Sequence, residues 1–154
     1  MEATSEYLAP TKDRPLSHGT PSRKLVGLPI ARVIPMDVHT IGDYAGALTL
    51  AALSSRARSK EARLAGAALG AASIAVSLLT DYRISAVKLI PIEMHEVLDY
   101  VAGSASVAAP FVLGYRKRDR WVSAVQIASG VAEMLIALFT DYRAYRGRSL
   151  GFRR

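Results

Sequence analysis

From Leu64 to Thr80 the chain reads LAGAALGAASIAVSLLT, with no charged residue anywhere in it. A helix that packs in water needs a polar stripe at a 3.6-residue period, and this stretch offers none on any side. Its length approaches the roughly 20 apolar residues that cross a ~30 Å hydrocarbon layer. Trp121 to Thr140 has the same character and is interrupted only by Glu133. Val97 to Tyr115 is broken only by Asp99 near its start, and Ile41 to Ser54 is extended back to Pro35 by a half-polar turn. The expected fold is all-α: an integral-membrane bundle of four transmembrane helices. The competing reading, a soluble four-helix bundle, lacks the charged outer faces it would need.

Charge is segregated from these spans. The chain carries a net charge of +7 and 51% hydrophobic residues, with a mean hydropathy of +0.19, high for a basic nucleic-acid binder. Arg56, Arg58, Lys60 and Arg63 separate the first two spans, and Arg116, Lys117, Arg118 and Arg120 separate the last two. Both segments are short and too polar for lipid, which marks them as hairpin turns, with Tyr115 and Trp121 at headgroup level. Their density of positive charge favours the cytoplasmic side, and an even number of spans puts both termini on one side. Residues 1–30 hold Pro10, Pro15, Pro21 and Pro29 with no apolar period and no secretory h-region, so a retained, disordered tail is expected. Residues 146–154 form a basic C-terminal tail. The partners this implies are the bilayer and anionic lipid at the basic turns and tail, with a second copy or another membrane protein as a further option, and not nucleic acid.

The domain between the tails, 31–145, contains an internal repeat. Ile34-Pro-Met-Asp-Val-His39-Thr-Ile-Gly-Asp43-Tyr44 aligns without gaps to Ile90-Pro-Ile-Glu-Met-His95-Glu-Val-Leu-Asp99-Tyr100. Leu78-Leu-Thr-Asp81-Tyr82-Arg83 then aligns to Leu138-Phe-Thr-Asp141-Tyr142-Arg143 at a slightly larger offset, so the second hairpin turn is the longer one. Repeat one is expected over 31–83 and repeat two over 87–143. Each copy holds two spans, so the copies should enter the membrane in the same direction as parallel helical-hairpin repeats.

The IPxxxHxxxDY start, the small-residue first helix and the T-D-Y-R exit resemble the SPW-repeat proteins, small bacterial membrane proteins. The resemblance covers roughly 30–145. Where that family has Ser-Pro-Trp, this chain has Ala109-Pro110-Phe111 in the second copy and Ala52-Leu53-Ser54 in the first. The resemblance implies a multi-pass protein of the bacterial cytoplasmic membrane and brings no activity with it.

The repeated polar residues form the candidate site. His39 and Asp43, like His95 and Asp99, are spaced i,i+4 and share a helix face. The parallel repeat places them at one membrane level with Tyr44, Tyr100, Asp81, Arg83, Asp141 and Arg143. The expected role is structural: Arg83 or Arg143 pairing with Asp43 or Asp99 to tie the hairpins together. The alternatives are a divalent metal, or haem with His39 and His95 as axial ligands, in a redox protein. No cofactor motif is present, and enzyme status leans to no. Glu133 lies roughly 10 Å inward from Thr140 at 1.5 Å per residue, with Ser73 as its counterpart and Gln126 on its own face. An acid there reads either as a protonated Glu hydrogen-bonded to a neighbouring helix or as the working group of a transporter of protons or small molecules. Gly42-x-x-x-Gly46 and Gly66-x-x-x-Gly70 read as faces for close helix packing.

Overall fold

The computed structural model describes residues 21–25 and 28–142. The expectations for residues 1–20, for Arg143 and for the tail at 146–154 lie outside the described residues. Two short strands, β1 (Pro21–Leu25) and β2 (Leu28–Ala31), pair antiparallel ahead of the helices. These strands fall at the end of the segment 1–30 that the sequence reads as an irregular tail. Local pairing across a short connection closes almost no loop, so it forms without the apolar period on which that expectation rested.

Four helices follow: α1 (Met36–Ser54), α2 (Lys60–Leu79), α3 (Ile92–Val112) and α4 (Arg120–Phe139). Pro35 and Pro91 stand at the N-caps of α1 and α3 in extended conformation, with Asp37 and Glu93 in the first turns on the positive end of the helix dipole. Ser59 caps α2 by accepting from the Ala62 amide. Gly114 ends α3 in the left-handed region at φ 71°, which a residue with a Cβ adopts only under strain.

The helices pack most closely as two hairpins, α1 with α2 and α3 with α4, with α2 lying along α3 and α1 along α4. Small residues set the approach. A Cβ on Gly70 would stand 2.7 Å from the Ala47 carbonyl, and one on Gly103 would stand 2.8 Å from the Gly130 carbonyl. Gly66 is likewise closed off by Ser54. Gly42 and Gly46, by contrast, face open space. The packing role expected for that pair belongs to Gly103 and Gly130, because the α1 face that meets α2 runs through Ala47 and Ser54.

Burial is inverted relative to a water-soluble bundle. His39, Thr40, Ser77, Thr80, His95, Asp99, Ser106, Gln126 and Thr140 are buried, while Val38, Ile41, Leu48, Leu64, Val97, Val101, Val131 and Leu135 are exposed. Two helices, Lys60–Leu79 and Arg120–Phe139, are long and apolar enough to cross a membrane, at mean hydropathies of 1.6 and 1.8. Only 22% and 28% of the residues in those windows are buried inside the protein, which sets them apart from the core helices of a soluble fold.

Candidate metal centre between the hairpins

The starts of α1 and α3 and the ends of α2 and α4 meet at one end of the bundle through main-chain bonds. Ile34 N–H donates to Phe139 O at 2.9 Å, and Asp141 N–H donates to Ile34 O at 3.0 Å. The corresponding bonds recur in the other half, from Ile90 N–H to Leu79 O at 2.8 Å and from Asp81 N–H to Ile90 O at 2.9 Å. Each hairpin's entry segment is thus bonded to a helix exit: α1's entry to the exit of α4, and α3's to the exit of α2.

This clasp brings four side chains together. His39 and Asp43 from α1 and His95 and Asp99 from α3 each offer one ligand atom, and all four atoms lie within 4.8 Å of one another. His39 Nε2 stands 3.3 Å from Asp43 Oδ1 and 3.2 Å from Asp99 Oδ2. His95 Nε2 stands 3.2 Å from Asp43 Oδ2 and 3.5 Å from Asp99 Oδ1. Nitrogen and oxygen therefore alternate around one point. The side chains of both histidines are at most 1% exposed, and those of Asp43 and Asp99 are 10% and 6% exposed.

Two threonines determine where the imidazole protons sit. Thr140 Oγ1 donates its single hydrogen to the Ile136 carbonyl at 2.7 Å, and Thr80 Oγ1 donates its own to the Val76 carbonyl at 2.6 Å. Each hydroxyl also lies 2.9 Å from an imidazole Nδ1, that of His39 for Thr140 and that of His95 for Thr80. With their hydrogens committed, both hydroxyls can only accept, so both histidines carry a proton on Nδ1. Each Nε2 then faces carboxylate oxygens at 3.2–3.5 Å: with a proton it donates to them, and without one it offers a lone pair to a cation. Four acceptors converging in a buried space repel one another unless a cation or two added protons lie among them.

The surrounding groups are oriented to match. Tyr142 OH donates to Asp99 Oδ2 at 2.6 Å, and Ser77 Oγ donates to Asp43 Oδ2 at 3.3 Å. Burial, reinforced by the neighbouring Asp99 carboxylate, pushes the Tyr142 phenol well above its ordinary pKa and keeps it a donor. The rings of Tyr142 and Tyr82 meet His39 and His95 edge to face, at 5.3 and 5.6 Å between centroids. Arg32 is buried beside them, bonded to Glu96 Oε1 at 2.6 Å and to the Thr140 carbonyl at 3.2 Å.

Of the residues expected at this site, His39, Asp43, His95 and Asp99 converge. Tyr100 packs beside them against Met36, Tyr82, Ile92, Ala137 and Tyr142, and Tyr44 is half-buried on α1. Asp81 is held by Lys88 at 2.7 Å instead. Arg83 reaches Asp37 at 3.7 Å on the exposed surface and touches neither Asp43 nor Asp99. For Arg83 the expected pairing with Asp43 or Asp99 is corrected, and Asp99 is bonded instead by Tyr142 of the second exit, while Arg143 lies outside the described residues. Glu133 is half-buried on α4, close enough for the charges of Asp99, Asp43 and His39 to act on it, but outside the quartet.

Haem does not fit. An axial imidazole needs a clear slab beside Nε2 for the porphyrin, and here carboxylate oxygens stand 3.2–3.5 Å from both Nε2 atoms. A single ion fits better, since two ligands of a tetrahedral first-row ion bound at 2.0–2.1 Å lie about 3.4 Å apart.

Thr80, Thr140, Ser77 and Arg32 were not among the expected site residues, whereas Tyr142 was expected on this face as part of the second exit. The threonines were nevertheless visible in the repeated T-D-Y-R exit, and Arg32 has a basic counterpart in Lys88. Searches of protein-family models, curated proteins and solved structures found no match for this chain.

Proposed function

We propose that this chain is a four-span membrane protein whose two hairpins are joined by one divalent first-row transition-metal ion held by His39, Asp43, His95 and Asp99. The observation that carries this reading is the convergence of both Nε2 atoms and the two carboxylates on one buried point, with each Nδ1 bonded to a threonine hydroxyl. Two imidazoles and two carboxylates supply four donors and, with a divalent ion, sum to zero charge. Such a set suits zinc, iron or manganese better than a thiophilic metal, since the chain has no cysteine. Four protein donors with a buried surround leave no evident open position, so the ion serves as a structural clamp and not a catalyst.

Inverted burial supports the membrane part of the proposal. On this reading α1 and α3 span along with α2 and α4, the hairpins are parallel repeats, and the basic turns face the cytoplasm of a bacterial cell. The kinship with SPW-repeat proteins belongs to the same proposal and rests on the IPxxxHxxxDY start, the small-residue first helix and the T-D-Y-R exit.

The test is elemental analysis of the full chain purified in a mild detergent. One tightly held divalent ion per chain is expected, and it should be lost in His39→Ala and in His95→Ala. A metal-free protein that cannot be loaded with zinc, iron or manganese would overturn the clamp and leave imidazolium–carboxylate pairs in its place. Recovery of the chain in the aqueous fraction without detergent would overturn the membrane reading separately.

A further inference from the structure

The opposite end of the bundle carries a second polar feature that the metal clamp does not use. Asp119 is the N-cap residue of α4, yet its side chain makes no capping bond there. Its carboxylate turns to α2 instead, accepting from the Arg58 amide at 2.6 Å, the Ser59 amide at 3.0 Å and the Ser59 hydroxyl at 2.5 Å. The first turn of α4 is left with amide N–H groups that have no helical partner and no side-chain cap.

Beside that turn lies a pocket of about 550 Å³ lined by Arg116, Lys117, Arg120, Ser123, Ala124 and Ile127. Ser123 is 2% exposed, and its hydroxyl has no hydrogen-bond partner among the described residues. A buried hydroxyl without a partner costs about 1–3 kcal/mol, a cost that an acceptor entering the pocket and reaching Ser123 Oγ would relieve. Three cationic side chains, the positive end of a 20-residue helix and a free hydroxyl together describe an acceptor-rich anion.

We propose that this pocket binds a phosphoryl group, with Arg116, Lys117 and Arg120 supplying charge, the α4 N-terminus supplying amides and Ser123 supplying a directed hydrogen bond. A carboxylate could satisfy the charge but not the number of donors. Trp121, the sole tryptophan, sits in the same turn and is 70% exposed, so its emission reports on the site.

The test titrates the detergent-solubilised full chain with inorganic phosphate, with dihexanoyl phosphatidic acid and with decanoate, reading Trp121 fluorescence. A saturable change is expected with a phosphoryl ligand and a much weaker one with decanoate. A response to both phosphoryl probes identifies the phosphoryl group as sufficient, and a response to the lipid alone identifies a lipid headgroup as its source. Ser123→Ala should weaken binding roughly tenfold or more, and Arg120→Gln should weaken it further. Arg56→Gln, which removes an equal charge from the other basic turn, should leave it unchanged. If Ser123→Ala binds as the parent does, if Arg56→Gln loses as much as Arg120→Gln, or if no probe gives a saturable response, the proposal fails. None of these outcomes depends on metal content, so the clamp and the phosphoryl site stand or fall apart.

Discussion

The imidazole of His39 donates to the hydroxyl of Thr140, 101 positions further along the chain and on the other hairpin. That bond fixes the imidazole tautomer and seats the ring at once. Its counterpart joins His95 to Thr80, so the seating of both proposed ligands depends on residues that are not themselves part of the quartet.

Replacing either threonine by valine should therefore weaken the metal without removing a ligand. Thr80→Val or Thr140→Val is expected to lower affinity by about 10- to 100-fold, while the Asp43→Asn and Asp99→Asn variants lose the ion outright. Competition with a chelator of known affinity measures the difference.

Glu133→Gln should retain the full metal stoichiometry, because Glu133 lies near the quartet but contributes no atom to it. Elemental analysis of the variant checks this. A substoichiometric result would enlarge the ligand set to include α4 and would revive a transport role for that acid.

Asp119 links stability to pH. Burial alone would raise its carboxyl, but hydrogen bonds from the Ser59 hydroxyl and from the Arg58 and Ser59 amides prevail and hold it below the usual carboxylate range. A depressed pKa in the folded state contributes stability that is complete above the unfolded value of about 3.9 and is lost as pH falls through the folded value. Asp119→Ala is expected to cost about 2 kcal/mol near neutrality by stranding its donors. Thermal unfolding of parent and variant in detergent should show that gap narrowing as the medium is acidified below about pH 4.

Helix spacing gives a contrast between glycines of the same motif type. Gly130→Val must push α4 away from α3, since a Cβ there would meet Gly103 and Ser106, and a loss of about 1–3 kcal/mol is expected. Gly46→Ala meets open space and should gain up to about 1 kcal/mol from helix propensity. Unfolding in a mixed-detergent titration would rank the two.

Arg32→Ala should be costlier than most substitutions outside the quartet. It strips Glu96 of a guanidinium at 2.6 Å in a place where the arginine side chain is 3% exposed. Breaking a buried pair from one side costs about 3–5 kcal/mol. The same unfolding titration reads it, and a shift comparable to an exposed pair such as Arg83 with Asp37 would show that Glu96 is solvated.

Much of this was legible in advance. The uncharged run Leu64–Thr80 and its partner Trp121–Thr140 announced two of the helices by composition alone, and the i,i+4 pairs announced that His39 and Asp43 share a face. Gapless repetition brought His95 and Asp99 to the same end. What periodicity could not reveal was the identity of the cross-bridging groups. Arg83 was favoured for its charge, but a long exposed side chain gains little from a buried acid, whereas Tyr142 reaches Asp99 with an uncharged donor that burial tolerates. The inward threonines were equally silent, because a Thr at a helix exit ordinarily only bonds its own preceding turn. Gly42 and Gly46 carried the spacing of a packing motif on the wrong face, which no spacing rule distinguishes.

The reciprocal seating of each histidine on the opposite hairpin's threonine means that neither half of the chain owns a finished site. A lone hairpin would present one imidazole, one carboxylate and a threonine with nothing to hold, and two such hairpins side by side would complete each other. The covalent link through residues 84–89 therefore supplies proximity and fixed pairing, not chemistry. Severed there, the two fragments should still recognise one another when produced together.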